Sequence, residues 1–469
     1  MNTQVEAVKH MVKSSATRDL AEYITALRYD ELPAGTIAAA KEAILDQFGI
    51  MLMGSTLPWT RPSYEVVTSL GSKPESTIVG WGGKVGALDA AFVNATLGHS
   101  CEFDDSGYNG GCHPGALTVP TALALAEREH LSGRDLLLGI VTGYEIISRI
   151  GGVMGRPVLD KGFHHQTVIG PFGAATVAGK LLGLDADRMV HALSIAGSHS
   201  SGTMEYDQTG GEVKRVHSSI AVRGGMMAVL LAQKGLTGPP TILEGLRGIP
   251  RVFAGIEDIS GITENLQKRD WFAVQGRIVK FYPTVGTIHT AIQAVGRLKD
   301  ENGVKPDEIE EIHIGVGPLT VHHGGAIYHP TDTISAQFSM AFSLALQVVK
   351  GKNELIDYLK PELWTDPDIV AVINKVKIHP DTKMVGDIWC GAWAKMKLKD
   401  GRTLETEQLY RKGSPQQPAS WDDLTGKFRS LASAAMDEAG MKRIIDAVAS
   451  LDQLDDVSKL LPLLVNPAL

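Results

Sequence analysis

Gly173-Ala174-Ala175-Thr176-Val177-Ala178-Gly179-Lys180-Leu181-Leu182 decides the fold class of this chain. Small side chains fall on almost every face of the run. They let neighbouring backbones approach closely, so the segment reads as a helix packed on several sides. Gly183 stops it, and Asp185 is placed to cap a following helix that runs to about Ala196. The same reading extends toward the N-terminus. Thr36 to Met53 puts Ile37, Ala40, Ile44, Phe48 and Met51 on one helical face, after a break at Pro33-Ala34-Gly35. Residues 87–98 and 118–129 read as buried helices. Ser132-Gly133-Arg134-Asp135 resembles a capping box, with Asp in place of Glu, before a helix through Ile150.

The pattern changes near Trp271. Ile312, Ile314 and Val316 alternate as on a half-buried strand, and Lys377-Ile378-His379 is a short strand candidate. Ala394, Met396 and Leu398 alternate with Lys395, Lys397 and Lys399. Asp400-Gly401 then predicts a hairpin turn, and a return strand runs from about Thr403 to Gln408. Helices are expected at 287–298 and 335–350. The chain therefore reads as mainly α: a large helical domain over 1–269, a smaller α+β domain over 270–410, and C-terminal helices within 411–469. That tail is too short to hold a core alone and is expected to pack back on the helical domain.

The chain has 469 residues, 43% of them hydrophobic, and a net charge of 45 − 53 = −8. That charge argues against nucleic acid as a partner. An anionic substrate remains compatible if positive charge is concentrated in one pocket. Cys101, Cys112 and Cys390 are too few, and odd in number, for a disulfide framework. Met1 to Glu6 begins no apolar leader. The apolar stretches at 168–184 and 339–349 are too short, too Gly-rich or too amphipathic for a membrane span, so a cytoplasmic location and no membrane partner are expected. Gly80 to Gly86 misses dinucleotide-loop spacing by one residue and reads as a turn, and Gly173 to Lys180 fails as a phosphate loop. There is no His-Glu-x-x-His. The adjacent pairs His164-His165 and His322-His323 have diverging side chains, so no metal-ligand cluster, no metal and no cofactor are expected.

Four segments set polar groups in apolar or small-residue surroundings. His99-Ser100-Cys101-Glu102-Phe103-Asp104-Asp105-Ser106, followed by His113-Pro114-Gly115, gathers carboxylates and histidines between buried helices. Asp104 and Asp105 are as readily helix caps as functional groups, whereas His113 reads as functional. Gly162-Phe163-His164-His165-Gln166-Thr167 leads into the small-residue helix. An imidazole there meets the positive end of the helix dipole and is kept neutral, which suits a base. His164 is taken as that base and His165 as a surface residue. In Gly210-Gly211-Glu212-Val213-Lys214-Arg215-Val216-His217, a helix start would put Lys214 and His217 on one face with Ala221 and Gly224 or Gly225. A lysine there needs an anion; Arg215 reads as solvated. Finally, Lys280 sits in the apolar run Ile278-Val279-Lys280-Phe281-Tyr282-Pro283, and His289 follows on a helix where it reads as readily as a core residue.

In order and spacing, these segments resemble the MmgE/PrpD family. Leu45-Asp46, Ala336-Gln337-Phe338-Ser339 and Lys412-Gly413-Ser414 ahead of Lys427-Phe428 carry the resemblance over nearly the whole chain. The resemblance implies a helical domain plus a smaller α+β domain, a homodimer, and a small polycarboxylate as substrate. By position it implies roles for Glu102, His113, His164, Lys214 and Lys280, taken as catalytic, and for the Ser106 hydroxyl; Asp105, His217 and Tyr282 are expected to bind substrate beside Ser106. Glu102 and Ser106 stand where aconitate decarboxylases have Asp and Thr. The loop from Ser106 to His113 is one residue longer, and Phe338 replaces the Tyr of some members. The expected activity is therefore a lyase reaction like that of 2-methylcitrate dehydratase, by proton transfer alpha to a carboxylate. The alternatives are a cis-aconitate decarboxylase, an isomerase like iminodisuccinate epimerase and, more remotely, a non-catalytic binding homologue.

Overall fold

The computed structural model describes residues 15–107, 112–206, 211–269 and 272–466. Expectations for the first residues, for Gly210, for the change near Trp271 and for most of the loop before His113 fall outside these. The chain divides into two compact units, one formed by Met1–Ser100, Asp104–Ile278 and Ser420–Leu469, the other by Cys101–Phe103 and Val279–Ala419.

The first unit is helical. It contains α1 (Ala16–Ala26), α2 (Ala34–Gly54), α3 (Ala87–Gly98), α4 (Pro114–Arg128), α5 (Gly133–Asp160), α6 (His165–Leu181), α7 (Ala186–Gly197) and α8 (His217–Gln233). Helix α6 lies at its centre, against α4, α5, α7 and α8. The small residues make that possible: a Cβ on Gly225 of α8 would come within 2.4 Å of the Pro171 carbonyl oxygen of α6. Helix α6 begins earlier than the Gly173 start read from sequence, and Pro171 lies inside it. Its first turns hold polar residues that are nevertheless buried, a pattern that hydrophobic periodicity does not register. Ser132 and Asp135 form the reciprocal cap expected for α5. That helix continues past Ile150 because Met154 and Val158 prolong its buried stripe. Helix α5 is long and apolar enough to cross a membrane, but 72% of its most apolar window is buried inside the protein, as in a core helix. The Gly80–Gly86 stretch lies at a small hairpin, where β1 (Ser76–Thr77) pairs antiparallel with β2 (Lys84–Val85).

The second unit is α+β. It holds α9 (His289–Asn302), β3 (Ile309–Val316), α10 (Met340–Lys350), α11 (Pro367–Ile373), β4 (Val376–Pro380), β5 (Ala392–Leu398) and β6 (Thr403–Gln408). The sheet order is β4-β3-β5-β6, with β4 parallel to β3 and the other pairs antiparallel. Ile312, Ile314, Ala394, Met396 and Leu398 share a core with residues of α9 and α10. The helix expected over 335–350 is broken at Phe338-Ser339, where the Ser339 hydroxyl caps α10 through the Phe342 N–H. Lys280 lies outside the strands of the sheet.

The chain then returns to the helical unit with α12 (Trp421–Ala432) and α13 (Glu438–Ala449). Helix α12 packs on α2. Lys427 and Asp46 meet there as a buried ion pair at 2.7 Å. Burial pushes both toward their neutral forms, and their mutual attraction opposes it.

Candidate active site

In the helical unit, the ends of α3, α4, α6 and α8 bring His99, His113, His164, His165 and His217 together. All are buried. Successive ring centroids lie 5.0 Å apart for His99–His113, 5.1 Å for His164–His165 and 5.0 Å for His164–His217. His113 directly precedes α4, where Pro114 occupies the first helical position. Its backbone N–H donates to Gln166 Oε1 at 2.7 Å, and Gln166 Nε2 donates to the Ser218 hydroxyl at 2.7 Å. One glutamine thus ties the start of α4 to α6 and α8.

The His113 ring has a defined orientation. Its Nδ1 lies 2.8 Å from the Asp105 carbonyl oxygen and 3.3 Å from Asp104 Oδ2. Both are acceptors, so Nδ1 carries the proton and the lone pair of the neutral ring is on Nε2. Asp104 Oδ2 is also 2.7 Å from His99 Nδ1. The sequence reading found no ligand cluster, and here the fold corrects it: ligand-type atoms of His99, Asp104 and His113 lie within 4.8 Å of one another. Three separated positions meet only through tertiary structure.

His164 stands at the N-cap position of α6, its backbone N–H bonded to the Gly202 carbonyl at 3.0 Å. Its Nδ1 is 2.8 Å from His217 Nδ1. One proton lies between the two nitrogens, so its position decides whether His164 Nε2 is a donor or an acceptor. Burial first, then the neighbouring His165, His217, His99 and His113, hold His164 far below the usual imidazole range. His217 is lowered to about 4 by burial and then by Lys214. Lys214 is itself buried, three residues before the start of α8, in a short 3-10 turn rather than on the helix expected there.

Other expected residues take different places. Asp105 was expected to bind substrate, but both its oxygens are engaged within the chain. Oδ1 accepts from the Gly115 N–H at 2.9 Å, and Oδ2 from the Tyr144 hydroxyl at 2.6 Å. A Cβ on Gly115 would lie 2.8 Å from that Oδ1, so the contact requires glycine. Burial raises the Asp105 carboxyl to about 6, against the lowering effect of these hydrogen bonds. His165 is buried, not a surface residue. Its Nε2 accepts the Cys112 N–H at 3.1 Å, and Cys112 has a left-handed φ of 58°. His165 therefore holds the strained residue beside His113. Arg215 is buried as well, 4.1 Å from the Trp59 ring centre, with Glu212 and the Ser100 carbonyl as partners. Ser106 is half-buried and pairs its backbone with Ile278 through bonds of 2.9 and 2.7 Å.

In the α+β unit, Lys280 is buried with its Nζ 3.2 Å from the Glu102 carbonyl and 3.3 Å from Glu102 Oε2. Glu102 has a φ of 54°, a left-handed conformation uncommon outside glycine. Gln337 Nε2 donates to the carbonyls of Cys101 at 2.8 Å and Pro283 at 3.0 Å, fixing both flanks. Tyr282 is half-buried, its ring edge-on to His289, and burial raises its hydroxyl to about 12. His289 itself is buried.

Residues 18–261 match the MmgE/PrpD N-terminal domain and residues 282–453 the MmgE/PrpD C-terminal domain, and the chain belongs to that family. A cis-aconitate decarboxylase of Aspergillus terreus is 28% identical to it over 97% of both chains. The cis-aconitate decarboxylase of Mus musculus is 27% identical over 98% of this chain and 95% of its own. That of Homo sapiens is 27% identical over 98% and 96%.

Proposed function

We propose that the protein is a lyase that moves a proton at the carbon next to a carboxylate in a small di- or tricarboxylic acid. The observation that carries this reading is the buried His164–His217 pair, held neutral beside buried Lys214. A neutral imidazole is the side chain suited to accept and return a proton near neutral pH. Taking a proton alpha to a carboxylate builds negative charge on that carboxylate, which Lys214 stabilises in a water-poor setting. His164 is the proposed proton carrier and His113 the second acid–base group. Lys280, held with Glu102, is a further cation suited to substrate carboxylates, with Ser106 and Tyr282 as polar contacts. The reading includes turnover without a resident cofactor and a cytoplasmic homodimer; light scattering tests the assembly.

Dehydration of a 2-methylcitrate-like acid follows if the departing hydroxyl takes a proton from the same cluster. The second reading is decarboxylation, supported by the full-length likeness to the decarboxylases. There the carbon–carbon bond breaks, CO2 leaves, and the electron pair left on carbon takes a proton from an imidazolium. The test is a panel of methylcitrate, cis-aconitate and iminodisuccinate, followed by alkene formation, CO2 release and deuterium exchange. Turnover with water loss supports the first reading, CO2 release the second. Exchange without either means an epimerase. No turnover, with thermal stabilisation by nucleotides and by no polycarboxylate, would sink the proposal.

A further inference from the structure

We propose that Asp104, held in place by His99, is a positioning residue that fixes the proton of His113 on Nδ1 and so sets which nitrogen of that ring does chemistry. The inference rests on the proposed function for its kinetic consequence, but the geometry stands by itself. Asp104 is fully buried in the helical unit. Its Oδ2 lies between two imidazoles, 2.7 Å from His99 Nδ1 and 3.3 Å from His113 Nδ1. Its Oδ1 has no hydrogen-bond partner among the described residues. The carboxylate is thus committed to the two rings through one oxygen.

Each ring responds differently. His99 is at the C-cap of α3 and is more deeply buried than His113, 1% against 9% exposed. It is the inner support that holds the carboxylate; His113 is the outer ring. A carboxylate facing Nδ1–H keeps the imidazole in one tautomer and stabilises the imidazolium that forms when Nε2 takes a proton. The Asp105 carbonyl orients the same N–H but brings no charge. The other titratable groups around the trio include His164, His165, Asp105 and, acting at longer range, the Lys427–Asp46 pair.

A metal ion held by His99, Asp104 and His113 is the competing use of the same atoms. Ligand atoms on one tetrahedral zinc, at bonds of about 2.0–2.2 Å, stand roughly 3.3 Å or more apart. The His99–Asp104 separation of 2.7 Å is a hydrogen-bond length, and His113 Nδ1 already faces a carbonyl. The geometry is that of a carboxylate hydrogen-bonded to His99 and in charge contact with His113.

Long-range nitrogen–proton NMR of the whole wild-type protein reads the His113 tautomer without reference to any substrate. The expected result is the Nδ1–H form. An Nε2–H form, or coordination shifts of these rings when zinc ions alone are added, overturns the proposal. Asp104→Asn keeps the shape but can present an N–H to the ring. It is expected to turn His113 to the Nε2–H form and to lower kcat by on the order of 10²–10⁴, with KM little changed. Asp104→Glu is expected to recover part of the loss. Wild-type kcat in a folded Asp104→Asn also overturns it. If no polycarboxylate is turned over by the wild type, the proposed function fails while the His113 tautomer in Asp104→Asn still decides the role of Asp104: an unchanged Nδ1–H form assigns the proton to the Asp105 carbonyl and overturns the proposal.

Discussion

Two histidine pairs make nearly the same hydrogen bond in opposite surroundings. In the helical unit, His164 and His217 meet Nδ1 to Nδ1 at 2.8 Å in a buried cluster. In the α+β unit, His313 Nδ1 and His379 Nε2 meet at 3.0 Å across β3 and β4, on the half-exposed side of the sheet. The sheet pair is stacked, with ring planes 9° apart, and Trp393 stacks on His379 at 5.9 Å. Glu311 accepts from His313 Nε2 at 2.9 Å and also pairs with Lys377 and Lys397, which hold its carboxyl far below the usual range. His379 is lowered by slight burial, then by His313 and Lys377. The hydrogen bond does not distinguish the pairs. Dehydration and the sign of the neighbouring charge do, and these suit the buried pair to proton transfer.

The largest expected contrast is kinetic. His164→Gln should lose roughly 10²–10⁴ in kcat on whichever polycarboxylate the panel identifies, the usual range for a positioned acid or base. His379→Gln should change it less than about twofold. Equal losses would erase the functional difference between the pairs.

Next comes stability. Lys427→Met leaves buried Asp46 without its partner and should cost about 3–5 kcal/mol in denaturant melts of the full chain. Glu311→Gln removes a hub of exposed ion pairs and should barely move the midpoint, because solvent already screens them. A large effect of the surface change would mean that burial is not what gives ion pairs their weight here.

The same divide explains what was legible in the sequence. Helices and strands with periodic apolar residues could be read directly, as could the Ser132–Asp135 cap, because local chemistry specifies them. The candidate site was legible where an unusual residue stood in apolar company, as with Lys214 and Lys280. His165 and Arg215 were misread because their polarity is satisfied far along the chain, by Cys112 and Trp59. The His99–Asp104–His113 trio and the left-handed backbone at Glu102 and Cys112 depend on packing that no local pattern encodes.

A smaller effect concerns acid. The folded pKa of His217 is lowered to about 4 and that of His164 is lowered well below its usual range. As pH falls below the ordinary imidazole value of about 6.5, the unfolded chain binds protons that these folded residues refuse. Their contribution to stability is whole above that value and is lost as pH falls toward 4. Asp105, raised from 3.8 to about 6, acts in the opposite sense between those values, because the folded state takes its proton first. Among the described residues, four lowered imidazoles (His164, His199, His217 and His379) stand against the raised carboxyls of Asp105 and Asp46, so the urea midpoint should be lower at pH 5.5 than at 7.5. Lys214→Met removes a charge that disfavours the His217 imidazolium and should make the loss shallower. A midpoint that rises on acidification would contradict the neutral-cluster reading.

The smallest effect tests the surface pair alone. His313→Gln removes the imidazole that stands second among the causes lowering His379. The first cause, burial, and the third, Lys377, both remain. The His379 titration followed by NMR should therefore move up, toward its ordinary range, without reaching it. The shift should be smaller than that of His217 in Lys214→Met, since a half-exposed charge is screened by water and a buried one is not. Raising the salt concentration should shrink the His379 response and leave the His217 response largely intact. If both respond to salt alike, the two environments are electrostatically equivalent, and burial cannot be what sets the proposed proton-transfer pair apart.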